Sequence, residues 1–144
     1  MFAVIRFIYS TLAGIAVAMA IFFVVEVFGR VAFPIPAELN EHNHDDMCRY
    51  IASYPSWVLA AVIPMWLGLA YGSTYVAAWL GNLFPGIVVG TLVILLFGWN
   101  VVMLPYPVWW FPAAILIGFP IMVFLALFPY IWPASTKPAK PALA

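Results

Sequence analysis

The chain has 144 residues, of which 67% are apolar and 7% charged, with five basic and five acidic residues that cancel. A soluble domain is about half apolar and a quarter charged, so this chain lacks the charged side chains to cover a water-facing surface, and its apolar faces must meet lipid. The absence of a basic patch excludes nucleic acid as a partner, and a single cysteine, Cys48, excludes an internal disulfide or a CxxC site.

The first apolar run follows Arg6 and carries no charge before Glu26. It predicts a membrane span over about 7–30, since crossing the ~30 Å hydrocarbon core takes roughly 20 mainly apolar residues. The run outlasts the ~7–15-residue apolar region of a signal peptide and shows no small-x-small cleavage pattern, so it reads as a retained helix. Glu26 lies four residues before Arg30. Residues at i and i+4 are helix neighbours, and Glu before Arg is the favourable order. A charge at this depth pairs or reaches for water. The spacing therefore predicts an ion pair that ends the span near the headgroups. The sharper alternative is a proton- or cation-binding carboxylate facing the bundle.

Pro34-Ile35-Pro36 stops this helix. The polar loop over 34–56 is long for a helix–helix link, which predicts structure inside it. Asn43 is placed to cap a short helix with Asp45 and Asp46 in its first turn, where the helix dipole favours anions. Met47, Tyr50, Ile51 and Tyr54 then fall at i, i+3, i+4 and i+7. That is one apolar stripe, suited to the membrane surface or to the top of the bundle, with Pro55 closing it. The loop also holds Glu41, His42, His44, Asp45 and Cys48. His44 and Cys48 share a helix face, but the spacing matches no strong zinc or copper signature. No metal is expected, and His42, His44 and Cys48 are the weak candidates.

Three further spans are predicted over about 57–80, 84–104 and 108–131. Gly81-Asn82 marks a turn and Pro105-Tyr106-Pro107 a tight reversal. Short links make neighbours antiparallel. The expected fold is all-α: one integral membrane domain, a four-helix up-down-up-down bundle with a short amphipathic interfacial helix in the first loop. Pro64 and Pro120 fall inside spans, where protein neighbours tolerate the kinks they impose. Trp57, Trp109 and Trp110 mark one interface and Trp79 and Trp132 the other, while Trp66 is mid-span. Pro133, Pro138 and Pro141 predict an extended tail over 133–144. Arg6, Lys137 and Lys140 flank the two ends, against Arg30 and Arg49 around the first loop, which points to both termini on the cytoplasmic side.

Gly68 with Gly72 and Gly86 with Gly90 form GxxxG pairs, and Gly14 with Ala18 and Ala114 with Gly118 are weaker versions. Such spacing predicts close helix contact, within the bundle or with a partner. Asn100 is the main polar residue of the third span, Ser73 and Thr74 lie in the second and Ser10 and Thr11 in the first; buried Asn or Thr commonly hydrogen-bond across helices. Neither histidine is in a span, which argues against His-ligated haem or chlorin in the bundle. No Walker loop, HExxH, GxSxG or dithiol is present, so a conventional ATPase, hydrolase or thiol oxidoreductase has no support.

Val25-Glu26, then Gly29, Pro34 and Pro36, lead into a polar loop that closes in Tyr50-Ile51-Ala52-Ser53 and Pro55. A glycine-rich second helix follows, ending Ala77-Ala78-Trp79-Leu80-Gly81. Over more than half the chain this resembles small four-helix bacterial inner-membrane proteins of unknown function. The resemblance implies the architecture and a bacterial inner membrane, and transfers no activity. The string Val25-Glu26-Val27-Phe28-Gly29 is similar, over those residues only, to the first-helix glutamate region of small multidrug-resistance transporters. This chain is longer, its glutamate is nearer the helix end, and its polar loop is foreign to that family.

The readings together point to a non-catalytic accessory subunit of a larger bacterial membrane complex, of respiratory or photosynthetic type. It would pack against partner helices and lipids, with room for a bound lipid, quinone or carotenoid and no dedicated cofactor. The alternative is a small proton- or cation-coupled transporter or channel working through Glu26. A membrane enzyme acting on lipid comes third.

Overall fold

The computed structural model describes residues 2–39 and 42–132, so Glu41 and the tail over 133–144 with Lys137 and Lys140 lie outside the described residues. The described chain forms α1 (Phe2–Ala32), α2 (His44–Ala52), α3 (Ser56–Leu80), α4 (Leu83–Met103) and α5 (Trp110–Ile131), with no strand among these residues. α1, α3, α4 and α5 are each long and apolar enough to cross a membrane, which makes the chain a multi-pass membrane bundle. Their apolar residues run right round each helix. A helix closes its backbone hydrogen bonds within itself, which hydrocarbon demands.

Two boundaries differ from the sequence expectation. α1 begins at Phe2 rather than near 7. Nothing in Phe2–Ile5 breaks a helix, and Arg6 is accommodated inside α1 because its Nε donates to Leu80 O at 2.9 Å, at the exposed end of α3. α5 begins at Trp110 rather than near 108, because the prolines hold Pro105–Val108 irregular and Tyr106 N turns back to Leu104 O at 3.0 Å.

α3 is the central helix, touching α1, α4 and α5, whereas α1 touches only α3 and α4 among the spans. The Arg6–Leu80 bond sets α1 antiparallel to α3. The Phe7 and Phe84 rings, 5.5 Å apart at the starts of their helices, set α1 parallel to α4. At this end small residues bring the backbones together. A Cβ on Gly14 would lie 2.8 Å from Ala77 Cβ and 2.8 Å from Ser73 O, and one on Gly86 would lie 2.8 Å from Ala78 Cβ. One on Gly90 would lie 2.6 Å from Val123 Cγ1 and 3.1 Å from Thr74 Oγ1. Gly118 faces Leu67, with 2.5 Å to Leu67 Cδ2, and Gly72 makes ordinary contact with Ile21 Cδ1 at 3.6 Å. Ala18 is buried and Ala114 half-buried. In the turn, a side chain on Gly81 would run into Pro85 and Ser10.

Gly68 takes no part in packing inside the bundle: it is exposed, and a Cβ there would meet nothing within 4 Å. Four residues turn a helix by about 40° beyond a full turn, and that rotation takes Gly72 toward α1 while leaving Gly68 outside. The cross-helix bonds expected of buried threonine do not form either. Ser10 donates to Phe7 O at 3.0 Å and Ser73 to Leu69 O at 2.7 Å, while Thr11 Oγ1 and Thr74 Oγ1 are buried without a hydrogen-bond partner. A serine reaches the carbonyl of its own preceding turn with no need of a neighbour.

Substituting the two glycines separates contact from helix propensity. Gly14→Ala pushes a methyl group into Ser73 O and Ala77 and is expected to cost about 1–3 kcal/mol. Gly68→Ala meets open space and is expected to gain about 0.5–1 kcal/mol from the lost backbone freedom of glycine. Thermal unfolding in detergent micelles should move down for the first and up for the second; equal shifts would contradict this packing.

Candidate functional site

The polar loop supplies a roof for one end of the bundle. α2 starts where Asn43 Oδ1 accepts from Asp45 N at 3.0 Å, with Asp45 and Asp46 in the first turn and Arg49 in the last. It stops where Ser53 N donates to Arg49 O and Tyr50 O, both at 3.1 Å. Tyr50 and Ile51 are buried and Met47 half-buried, whereas His44, Asp45 and Arg49 are exposed. The apolar stripe thus faces the bundle. Tyr54 falls beyond the end of α2, yet its ring stays with that of Tyr50, 5.0 Å away. A clasp fixes this roof to the end of α1. Tyr50 Oη donates to Phe33 O, Tyr54 Oη donates to Tyr50 Oη at 3.3 Å, and the Phe33 ring stacks on Tyr50 at 5.4 Å.

Beneath the roof lies a cavity of ≈ 380 Å³. Its floor is aromatic: Trp66 packs edge-on against Phe22 (6.0 Å) and Phe97 (4.6 Å), with Phe119 below. Trp66 stands in the third turn of α3, about 15 Å below its start at 1.5 Å per residue. Val25, Leu59 and Val62 add apolar walls. The rim carries charge. Arg30 Nε lies 3.3 Å from Glu26 Oε2, with the side chains 56% and 47% exposed, so water screens the pair and it adds little to stability. Gly29 sits between them, and a Cβ there would meet only Tyr54 Oη, at 3.5 Å. Across the cavity, Tyr106 Oη donates to Asn100 Oδ1 at 3.4 Å and its ring packs on Phe111 at 4.6 Å.

The fold favours the protonated form of two phenols, Tyr54 and Tyr106. Burial, then the hydrogen bond with Tyr50 and the charges of Tyr50 and Glu26, raise Tyr54 well above the ordinary phenol range. Burial alone pushes Tyr106 up to about 12.

The structure therefore gathers Glu26, Arg30, Met47, Tyr50, Ile51 and Tyr54 around one space. The packing residues Gly14, Ala18, Gly86 and Gly90 lie elsewhere, toward the other end of the bundle. His44 Nε2 and Cys48 Sγ come within 3.6 Å on α2, with His42 just before that helix. No group of three or more His, Cys, Asp or Glu gathers among the described residues. The sequence reading missed Phe22, Trp66, Phe97, Tyr106 and Phe111 as site residues. One signal was present: Phe22, Val25, Glu26 and Gly29 share a single face of α1 by their spacing. No family model matches the chain, and neither a curated protein nor a solved structure matches it.

The clasp and the buried phenol each have a measurable consequence. Tyr50→Phe removes the hydroxyl that reaches Phe33 O, and is expected to speed amide exchange across α2 by an amount worth about 1 kcal/mol while leaving α3 unchanged. The raised Tyr106 value means that the fold favours the protonated phenol. Its contribution is complete below the ordinary phenol value of 10.0 and is lost as pH climbs through about 12. Thermal unfolding followed from pH 9 to 12 should fall more steeply for the wild type than for Tyr106→Phe; parallel curves would refute the assignment.

Proposed function

We propose that this chain is a non-catalytic accessory subunit of a bacterial inner-membrane complex, and that it seats one amphipathic molecule, a lipid or a quinone, in the cavity under α2. The cavity carries this reading. Its volume of ≈ 380 Å³ lies within the range of small-molecule sites, which are mostly apolar with a few placed polar groups. Here an aromatic floor lies under a charged rim, the polarity order of an amphiphile standing upright in a leaflet. The chain devotes its one polar loop to roofing that space.

The outer surface supports the subunit role. Only 11% of the most apolar window of α1 is buried within the bundle, against 39%, 28% and 33% for α3, α4 and α5. Ile8, Leu12, Met19 and Phe23 are among its exposed side chains. Gly14, Gly86 and Gly90 are spent on contacts inside the bundle, so partner helices would meet these bulky side chains instead. The balance of Arg6, Lys137 and Lys140 against Arg30 and Arg49 favours cytoplasmic termini, which puts the cavity in the outer leaflet.

The test is native mass spectrometry after extraction in mild detergent. The wild type is expected to carry a small-molecule adduct and to run with partner chains on native gels. Val62→Trp, which fills the cavity from α3, should lose the adduct. A bare single chain from the native membrane would count against the reading. The second reading, a proton- or cation-coupled transporter, draws on the carboxylate of Glu26 at the cavity wall. It requires that flux in proteoliposomes differ between wild type and Glu26→Gln, and equal flux would remove it.

A further inference from the structure

The bonding of the polar groups around the cavity sorts what the space accepts. Each phenol proton is committed within the protein: Tyr50 to Phe33 O, Tyr54 to Tyr50 Oη and Tyr106 to Asn100 Oδ1. What Tyr54 and Tyr106 offer a guest is therefore oxygen lone pairs and ring surface. Glu26 adds a carboxylate on the same wall, and Phe22, Trp66 and Phe97 add further rings below. Such an electron-rich space favours a positive group, since aromatic faces attract ammonium ions. For a quinone ring the donors on this lining are Arg30 and the Asn100 amide, not the phenols, whose protons are already committed.

Arg30 supplies the opposite charge. It stands at the mouth beside Glu26, 3.3 Å away, and its planar guanidinium pairs with phosphate as it does with carboxylate. A cation and an anion side by side are the complement of a ligand that carries phosphate and ammonium a few bonds apart. The depth agrees: the pair lies at the bundle end marked by Trp57 and Trp109, the side chains expected at headgroup level. Glu26 on α1 and Asn100 on α4 both line the cavity and are both exposed, so the cavity is reached from outside beside them.

We infer that the cavity is a headgroup site for a zwitterionic, ammonium-bearing membrane phospholipid. The ammonium sits among Glu26, Tyr54 and Tyr106, and the phosphate sits on Arg30. The acyl chains leave beside Glu26 and Asn100 and run along the bundle. This rests on the reading that the cavity holds an amphiphile, and it names which one.

The test titrates the full chain in detergent with dihexanoyl phosphatidylethanolamine, phosphatidylcholine and phosphatidylglycerol, following occupancy by native mass spectrometry. The two ammonium lipids are expected to half-saturate at about tenfold lower concentration than the glycerol lipid, as one ammonium contact among rings and a carboxylate supplies. Glu26→Gln should shrink that preference to about twofold, and Arg30→Gln should weaken all three lipids. Val62→Trp should abolish occupancy by each. The wild-type preference decides the matter even where a variant fails to fold. Equal occupancy by the three lipids, still lost in Val62→Trp, would overturn the headgroup assignment and leave an amphiphile site standing. Tighter occupancy by decylubiquinone would do the same. No occupancy sensitive to Val62→Trp for any probe would overturn both.

Discussion

The close approach of α1, α3 and α4 around Gly14, Ser73, Ala77 and Val89 is the contact on which the rest of the bundle depends. In lipid there is no hydrophobic drive between helices, so association rests on packing, and packing rewards backbones that come near. Small residues grant that approach toward the end where Arg6 ties α1 to α3. Higher along the same helices the contacts change character. Phe22, Trp66 and Phe97 meet through rings 4.6 to 6.1 Å apart. Large side chains hold helices further apart than glycine does, and above these rings the four helices no longer fill the space between them. The cavity is a consequence of where the chain places its small and large residues.

A space of this kind at the end of a membrane bundle would stand open to water and headgroups. The first loop roofs it, and the manner of roofing explains that loop's composition. Asn43, Asp45 and Asp46 start a helix in a segment otherwise too polar to bury. Tyr50 and Ile51 turn inward, and Tyr50 carries the oxygen that reaches Phe33 O. Phenylalanine in its place would keep the ring stacking and lose the anchor. The hydroxyl chain from Tyr54 through Tyr50 to Phe33 is thus a fastening between a soluble helix and a membrane helix, in a region where the burial that holds the spans is thin.

Much of this was legible in the sequence. Four long uncharged runs, the prolines and Gly81-Asn82 gave the helices, because lipid allows few alternatives to a helix. The Asn43 cap and the spacing of Met47, Tyr50 and Ile51 gave α2, and the i, i+4 spacing gave the Glu26–Arg30 pair. What the sequence did not yield was the cavity. A span that is apolar all round carries no periodic mark of its inner face, so nothing distinguished Phe97 from the exposed Leu96. The same blindness made Gly68 look equivalent to Gly86, although one faces outward and the other faces Ala78 and Leu127. The bonding of the span serines was not legible for a related reason. Their nearest acceptor is the preceding turn of their own helix, and sequence does not show whether a neighbour competes.

Roof and wall share residues, and this couples the cavity to the loop. Tyr54 belongs to the hydroxyl chain that fastens α2, and its Oη also lies over the gap that Gly29 leaves in α1. Glu26 bears on the same phenol from the rim. A guest that fits only beneath the closed roof stabilises the closed arrangement by RT ln(1 + [L]/Kd), and by the same linkage a looser roof weakens the guest. On the proposed reading, the groups that would recognise the molecule are also the groups that hold the roof down. A Cβ at Gly29 would make only ordinary contact with Tyr54 Oη, at 3.5 Å, so it takes a side chain larger than alanine there to disturb roof and wall together.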